Sequence, residues 1–352
     1  MTTTLEAALP KLAEGKTLSE TESESILGEI LDGSADNLHI AAFLMALRQR
    51  GETLNEVTGA ARAMRARMSR ITAPDNAIDT CGTGGDNSGS YNISTATSFT
   101  VAAGGIPVAK HGNRAASSRC GAADVLLALG VNLDCPLPAL ETSLRDLGYA
   151  FLMAPRHHSA MRHVAPVRGA LKIRTLFNVL GPLCNPAGVR RQVIGCFSAS
   201  WLAPLAESLG RLGSERVWLL HGAEGYDELT LFGANSVVEW ADGALREFTL
   251  DGETLGLPRY SPSDLRGGET ASESADALRK VLSGARGSLS GFADTVALNA
   301  AAAFVVAGLD ASPADGCARA RAILDSGAAA ELLESYASFT RTATDRDEIV
   351  SE

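Results

Sequence analysis

The chain has 352 residues, 45% hydrophobic and 5% aromatic, with 41 acidic against 31 basic side chains and a formal net charge of -10. That length accommodates one large domain and a smaller one. The acidic balance, with a pI of about 5.2, argues against a nucleic-acid partner, because such binders carry a basic patch or excess, but leaves a small anionic ligand open. Six cysteines (Cys81, Cys120, Cys135, Cys184, Cys196 and Cys317) are scattered without metal-like spacing and read as free thiols. The opening "MTTTLEAALPKLAEG" lacks the basic start and long apolar core of a signal peptide, and the run "AAAAFVVAGL" from Ala300 is too short to span a bilayer. A soluble, cytoplasmic protein with no membrane partner is expected.

The first seventy or so residues read as helices. Ser19 with Glu22, and Thr53 with Glu56, have capping-box spacing, in which each side chain satisfies a free backbone N–H of the other residue. Ile26, Leu27, Ile30 and Leu31 recur at helical spacing before a stop at Gly33, and "LHIAAFLMAL" (38–47) is apolar nearly all round, which predicts a buried helix. "ITAPDNA" (71–77) marks a boundary through Pro74. Beyond it, strand-like runs "YAFLMA" (149–154), "RQVIGCF" (191–197) and "RVWLLHG" (216–222) alternate with helix-like stretches at 121–130 and 202–213. That alternation predicts an α/β domain around a mainly parallel sheet. A β-rich excursion at 236–250 turns at "ADG". "LRGGETASESA" (265–275) reads as a polar surface loop, with helices from there to the end.

Residues 79–98, "DTCGTGGDNSGSYNISTATS", have almost nothing to pack into a core. A glycine turn that opens a helix offers unpaired N–H groups at the positive end of the helix dipole, a natural phosphate site. "NISTATSFTVAAGG" supplies the helix, with Ser94 and Thr95 in its first turn. No Gly-Lys-Ser/Thr ends the segment, so it is not a Walker A loop, and Asn87 stands where a dinucleotide fingerprint wants its third glycine. A second cluster, "AKHGNRAASSRCGAADVL" (109–126), starts with Lys110 after an apolar run. The lysine is expected to emerge at a strand's end, with Ser117 and Ser118 as helix-start donors and Arg114 beside them; a solvated basic turn is the equal alternative. Asp227-Glu228, just past "RVWLL", falls at the edge where ligands bind in an open α/β sheet. An adjacent acid pair is usually surface charge, but one or two carboxylates also suffice for Mg²⁺ bound to phosphates, and the Ser94 hydroxyl can join them. Finally, 157–186 is rich in Arg and His and closes on "GPLCNP"; Arg168 suits a planar carboxylate, which guanidinium grips bidentately, a surface salt bridge being the alternative for any single arginine here.

With these segments in place the chain resembles the anthranilate phosphoribosyltransferase family. "GTGGD", "NIST", "KHGNRAASS", "GAADVL", "HVAPVR", "RTLFNVLGPLCNP" and "GYDE" fall in that family's order, and the likeness runs from the helical start to "VALNAAAAFVVAGL" (296–309). The resemblance implies an architecture shared with pyrimidine nucleoside phosphorylases. A small all-helical domain, 1–72 completed by a mid-chain segment near 160–190, packs on a large α/β domain, 73–352, and two copies associate through the helical domain. It also implies transfer of phosphoribose from phosphoribosyl pyrophosphate to the amine of anthranilate, with Mg²⁺, two ions per subunit in the family's pattern. Carried over by position, Gly82, Gly85, Asp86, Ser90, Asn92, Ile93, Ser94 and Thr95 fall on phosphoribosyl pyrophosphate. So do Lys110, His111, Gly112, Asn113, Arg114, Ala115, Ala116, Ser117, Ser118 and Ala122. Ser94, Asp227 and Glu228 fall on magnesium; Gly82, Asn113 and Arg168 on anthranilate, with His111 and His158 lining its entry.

Four positions depart from the family pattern: Ser90 for threonine, Asn87 for glycine, Leu127 for glutamate and Ser274 for asparagine. None removes an implied contact, though Asn87 bears on the loop's backbone path. The implied reaction needs no covalent nucleophile, because the amine of anthranilate is already neutral and positioning outweighs a strong base. His111 is the candidate proton acceptor, a purely positioning role being at least as good a reading. Two rival readings, a pyrimidine nucleoside phosphorylase and a non-catalytic nucleic-acid-binding relative, fit less well: "KHGNR" differs from the phosphorylase "K-S-x-R", and the intact acid pair and low pI oppose the second.

Overall fold

The computed structural model describes residues 3–114 and 120–350, with side chains through 343. Four helices come first: α1 (Leu5–Ala13), α2 (Glu20–Leu31), α3 (Asn37–Arg50) and α4 (Leu54–Arg65). Both capping boxes form, Ser19 with Glu22 at the start of α2 and Thr53 with Glu56 at the start of α4. Glu56 is fully buried and also accepts from Leu18 N at 2.9 Å, so one carboxylate ties the cap of α4 to the entry of α2. The α3 helix is not buried all round. Ile40, Phe43, Leu44 and Leu47 face the bundle, but Leu38 is 80% and Met45 42% exposed. An apolar sequence reports what a helix can bury, whereas the number of neighbours around it sets how much is buried.

The rest of the chain alternates strand and helix. In order come β1 (Ile78–Gly82), α5 (Ile93–Ala103), β2 (Val108–Gly112), α6 (Ala122–Ala128), α7 (Leu137–Asp146), β3 (Tyr149–Met153), α8 (Ala154–His157), α9 (Ala165–Leu171) and α10 (Phe177–Leu180). Then follow β4 (Arg191–Gly195), α11 (Leu202–Arg211), β5 (Arg216–His221), β6 (Asn235–Ala241), β7 (Ala244–Leu250), α12 (Ala271–Leu282), α13 (Ser290–Ala307), α14 (Pro313–Ser326) and α15 (Ala328–Val350). The strands form one sheet in the order β3-β2-β1-β4-β5-β6-β7. Pairs among β1 to β5 are parallel, and β6 and β7 add antiparallel at one edge. From β1 the chain builds outward to β2 and β3 on one side and then crosses back to β4 on the other side of β1, so β1 and β4 are neighbours whose connections diverge. Their carboxyl ends therefore flank a crevice at a topological switch point.

One apolar cluster fills the sheet face covered by α5, α12 and α13. A second joins α1–α4 to Val164, Val167, Leu176, Phe177 and Leu180 and to Ile194, Val217 and Leu219 on the other face. The mid-chain segment thus packs with the N-terminal helices although a hundred residues separate them. The stretch 265–275 is only partly a loop: α12 starts at Ala271 under a Thr270 cap, and Ser274 and Ala275 are buried. Small residues at helical spacing fold under the polar ones beside them. The helical stretch Gly287–Ala307 exceeds the apolar run seen in sequence and has the length and composition to cross a membrane, yet 89% of its apolar window is buried in the fold. Counting uninterrupted apolar residues missed this, because Asp294 and Asn299 are satisfied internally. Tyr260 Oη donates to Asp294 at 2.8 Å, and Asn299 Oδ1 and Nδ2 bond the backbone of Leu229 at 3.0 and 2.8 Å.

Candidate active site

β1 and β4 run in register to a glycine on each, Gly82 opposite Gly195. Room is short there: a Cβ on Gly82 would stand 2.8 Å from Asp227 Oδ2, and one on Gly195 would stand 1.5 Å from the Asp227 carbonyl oxygen. Beyond β1 the chain turns through Gly84 and Gly85 in the left-handed region, φ +64° and +82°. Gly84 N donates to Asp227 Oδ2 at 2.9 Å, and Ser94 N, in the first turn of α5, donates to Glu228 Oε1 at 3.1 Å. The acid pair thus folds onto the glycine turn and the positive end of a helix, 134 to 143 residues away in sequence. Asp86 is the third carboxyl here, accepting from Asp227 N at 3.4 Å and from Ser88 N at 3.2 Å. Asn92 spends its amide on Cys120 O at 3.2 Å and leaves the start of α5 without a side-chain cap. Thr95 Oγ1, also in the first turn, is buried and has no partner among the described residues.

Burial and crowding set the charge state. Burial, then the neighbouring Asp86, pushes Asp227 up to about 7; burial, then Asp227, pushes Glu228 well up. Lys110 corrects one expectation. It is the third residue of β2 rather than its emerging end, 2% exposed, with Nζ donating to Thr80 O at 2.6 Å. A five-residue strand places its middle side chain within the layers, and burial pulls the ammonium down against the opposing pull of Asp79 and the acid pair.

A second group of side chains lies beside the first. Asp79, buried in β1, accepts from His111 N at 3.1 Å through Oδ1 and from Asn185 Nδ2 at 2.8 Å through Oδ2. This fixes the end of β2 and the "GPLCNP" turn together. His111 Nδ1 lies 3.2 Å from the Gly181 carbonyl, and its ring faces His158 at 5.2 Å between centroids. Burial pulls His111 down to about 3 and His158 to about 4, so both rings are neutral, each with a buried Nε2 that has no partner among the described residues. His111 is therefore a weak base, which favours the positioning reading. Arg168, on α9, lies over the Phe177 ring at 5.5 Å and forms no ion pair among the described residues. No described contact links it to the glycine turn.

The remaining predicted positions surround these. Gly85 is in the turn, Ser90 bridges to Arg266, Ile93 starts α5, Gly112 ends β2 and Ala122 starts α6. Asn113 Oδ1 accepts from Arg114 N at 2.8 Å, and Arg114 reaches Asp124 at 3.8 Å. Ala115, Ala116, Ser117 and Ser118 lie outside the described residues. Sequence reading passed over Asp79, Arg174 and Asn185. For Asp79 there was a signal, an acid inside an otherwise uncharged strand; Arg174 and Asn185 acquire meaning only from what they touch.

A glycine turn, a helix start and an acid pair at the switch point of a parallel sheet, beneath a helical bundle, define a phosphate-handling transferase. Two family models agree: "Glycosyl transferase family, helical bundle domain" matches residues 6–68, and "Glycosyl transferase family, a/b domain" matches 74–330. The anthranilate phosphoribosyltransferase of Paramagnetospirillum magneticum is 50% identical over 332 residues, 94% of this chain and 95% of that protein. That of Methylobacterium nodulans is 52% identical over 326 residues, covering 93% and 96%. Among solved structures, anthranilate phosphoribosyltransferase from Thermus thermophilus superposes with a TM-score of 0.89 at 45% identity, covering 95% of this chain and 99% of that one. The enzyme from Saccharomyces cerevisiae in complex with phosphoribosyl pyrophosphate and Mg gives 0.86 at 28%, covering 96% and 98%. The chain belongs to the anthranilate phosphoribosyltransferase family.

Proposed function

We propose that this enzyme transfers the phosphoribosyl group of phosphoribosyl pyrophosphate to the amine of anthranilate, releasing pyrophosphate, as a step of tryptophan biosynthesis. The observation that carries the reading is the convergence of Asp227 and Glu228 on Gly84 N and Ser94 N. It supports a sugar diphosphate held at the sheet crevice by main-chain amides, the start of α5 and the 110–118 segment. The buried acids suit a divalent cation. Burial first, and then the neighbouring carboxyls, push Asp227 and Glu228 toward protonation, a penalty that a bound cation would relieve. Asp227, Glu228 and the Ser94 hydroxyl are the residues that would hold Mg²⁺, two ions per subunit being the family pattern. When bound, the metal neutralises charge on the departing pyrophosphate.

The chain's own groups orient the reactants. The amides of Gly85, Asp86 and Asn87, with no protein acceptor among the described residues, and the unpartnered Thr95 hydroxyl at the start of α5 are the donors available where negative charge grows as the C1′–O bond breaks. Arg168, without an ion-pair partner among the described residues, offers its guanidinium to the carboxylate of anthranilate. Neutral His111 and His158 offer lone pairs rather than charge along its approach. No side chain serves as a covalent nucleophile; the amine attacks directly. We also assign residues 1–72 with the segment near 160–190 to one helical domain, which the shared apolar cluster supports. Leu38, Ala42 and Met45 form an exposed row at i, i+4 and i+7 on α3, a fit for a second copy of the chain.

The test is direct: loss of anthranilate fluorescence in a mixture of enzyme, Mg²⁺, phosphoribosyl pyrophosphate and anthranilate. Activity that needs all three small molecules supports the reading. Phosphorolysis of uridine in place of this activity would refute it. Arg168→Ala is expected to raise the KM for anthranilate far more than that for phosphoribosyl pyrophosphate.

A further inference from the structure

Arg174 lies between α9 and α10, on the mid-chain segment that packs with the N-terminal helices. Its side chain leaves that segment and crosses to the glycine turn. Nη2 donates to the Gly85 carbonyl, and the guanidinium carbon lies 4.4 Å over the Phe197 ring. Phe197 is itself stitched to the turn, its N–H donating to Thr83 Oγ1 at 3.0 Å, while Thr83 N donates to Gly195 O at 2.8 Å. One face of Arg174 is thus held by an aromatic ring and one edge by the turn, and no carboxylate pairs with it among the described residues. Such a site requires a planar cation: lysine cannot stack and donate in the same geometry.

The consequence follows from peptide geometry. In a trans peptide the C=O and the following N–H point in opposite directions, and no cis bond occurs among the described residues. Fixing the Gly85 oxygen on Arg174 therefore turns Asp86 N–H to the other side of the turn. The amides of Gly85, Asp86 and Asn87 donate to no protein acceptor among the described residues. Gly85, at φ +82°, is free to rotate unless something holds its carbonyl.

We propose that Arg174 is a positioning residue for the sugar-diphosphate site, gripping the Gly85 carbonyl so that the amides behind it face the phosphate oxygens. The proposal rests on the assignment of this turn to phosphoribosyl pyrophosphate. It also makes the turn's conformation depend on the mid-chain segment, so the helical side of the molecule reaches the phosphate site through one side chain.

The experiment uses full-length enzyme and two measurements: steady-state kinetics with each substrate varied in turn, and calorimetric titration with inorganic pyrophosphate in Mg²⁺. Arg174→Gln is expected to raise the KM for phosphoribosyl pyrophosphate about 10-fold, the worth of one charge-assisted hydrogen bond, and to weaken pyrophosphate binding in parallel. The KM for anthranilate should move less than about 2-fold, because no bond to that side is lost. Arg174→Lys, which restores charge but not the stacked fork, should stay at least about 3-fold impaired. Phe197→Leu, which removes the stack and leaves Arg174, should shift the same constant in the same direction by a smaller factor. Unchanged pyrophosphate affinity in Arg174→Gln, an equal rise in both KM values, or full recovery by lysine each overturns the proposal. Wild-type enzyme that neither binds pyrophosphate nor turns over phosphoribosyl pyrophosphate overturns the site assignment itself, a result separate from a normal wild type with an indifferent variant.

Discussion

Gly195→Ala tests whether the acid pair is placed by backbone packing. The new Cβ would meet the Asp227 carbonyl oxygen at 1.5 Å and the carbonyl carbon at 2.4 Å. Both are backbone atoms, so no side-chain rotation relieves the clash. Restoring an ordinary van der Waals contact moves the Asp227 backbone by roughly 2 Å. Such a shift exceeds the tolerance of the bonds from Gly84 N, 2.9 Å, and Ser94 N, 3.1 Å, that seat Asp227 and Glu228. A misplacement of about 1 Å costs about 100-fold in rate where geometry does the catalytic work, so kcat should fall by at least about that factor. Overpacking alone costs about 1–3 kcal/mol, which leaves a folded protein to assay. Fluorescence-monitored turnover gives kcat, urea unfolding gives stability, and Mg²⁺ titration of the melting temperature reports the metal site. A folded Gly195→Ala enzyme with kcat within about 2-fold of wild type would refute the claim that this contact positions the acids.

Asp79→Ala should lower stability by about 2–6 kcal/mol in urea unfolding, since it strands two buried donors, His111 N and Asn185 Nδ2, at about 1–3 kcal/mol each; a loss below about 0.5 kcal/mol would contradict their burial. His111→Gln should change how stability depends on pH. The folded ring titrates near 3 and the unfolded one near 6.5. Between those values the unfolded state binds the extra proton, so the histidine's contribution is full above 6.5 and is lost as pH falls. The wild-type minus variant difference should therefore decline by about 1.4 kcal/mol per pH unit below 6.5. Taking the difference cancels Asp227 and Glu228, whose raised proton affinities act in the opposite direction; a flat difference from pH 7 to 4 would show that His111 is not held neutral. Leu38→Asp with Met45→Glu should convert a dimer in equilibrium sedimentation to a monomer with an unchanged melting profile at low concentration; an unaltered mass would move the interface elsewhere.

Much of the architecture was legible without coordinates, because its signals are local. Capping boxes at Ser19 and Thr53, the strand–helix alternation and the glycine turn before α5 depend on residues a few positions apart. The phosphate reading followed from the same locality, since one short segment holds both the flexible turn and the start of a helix. Where sequence misled, the missing quantity was the surroundings. Apolar α3 gains an exposed row because no described element of its own chain covers Leu38 and Met45. Lys110 sinks into the sheet because it falls mid-strand, not at the end. Long-range convergence belongs to tertiary structure alone: Asp227 reaches Gly84, Asp79 ties His111 to Asn185, and Arg174 reaches Gly85. Residues remote in sequence meet only after the sheet fixes its strand order and register, and each such bond exists because the fold has already brought its two ends together.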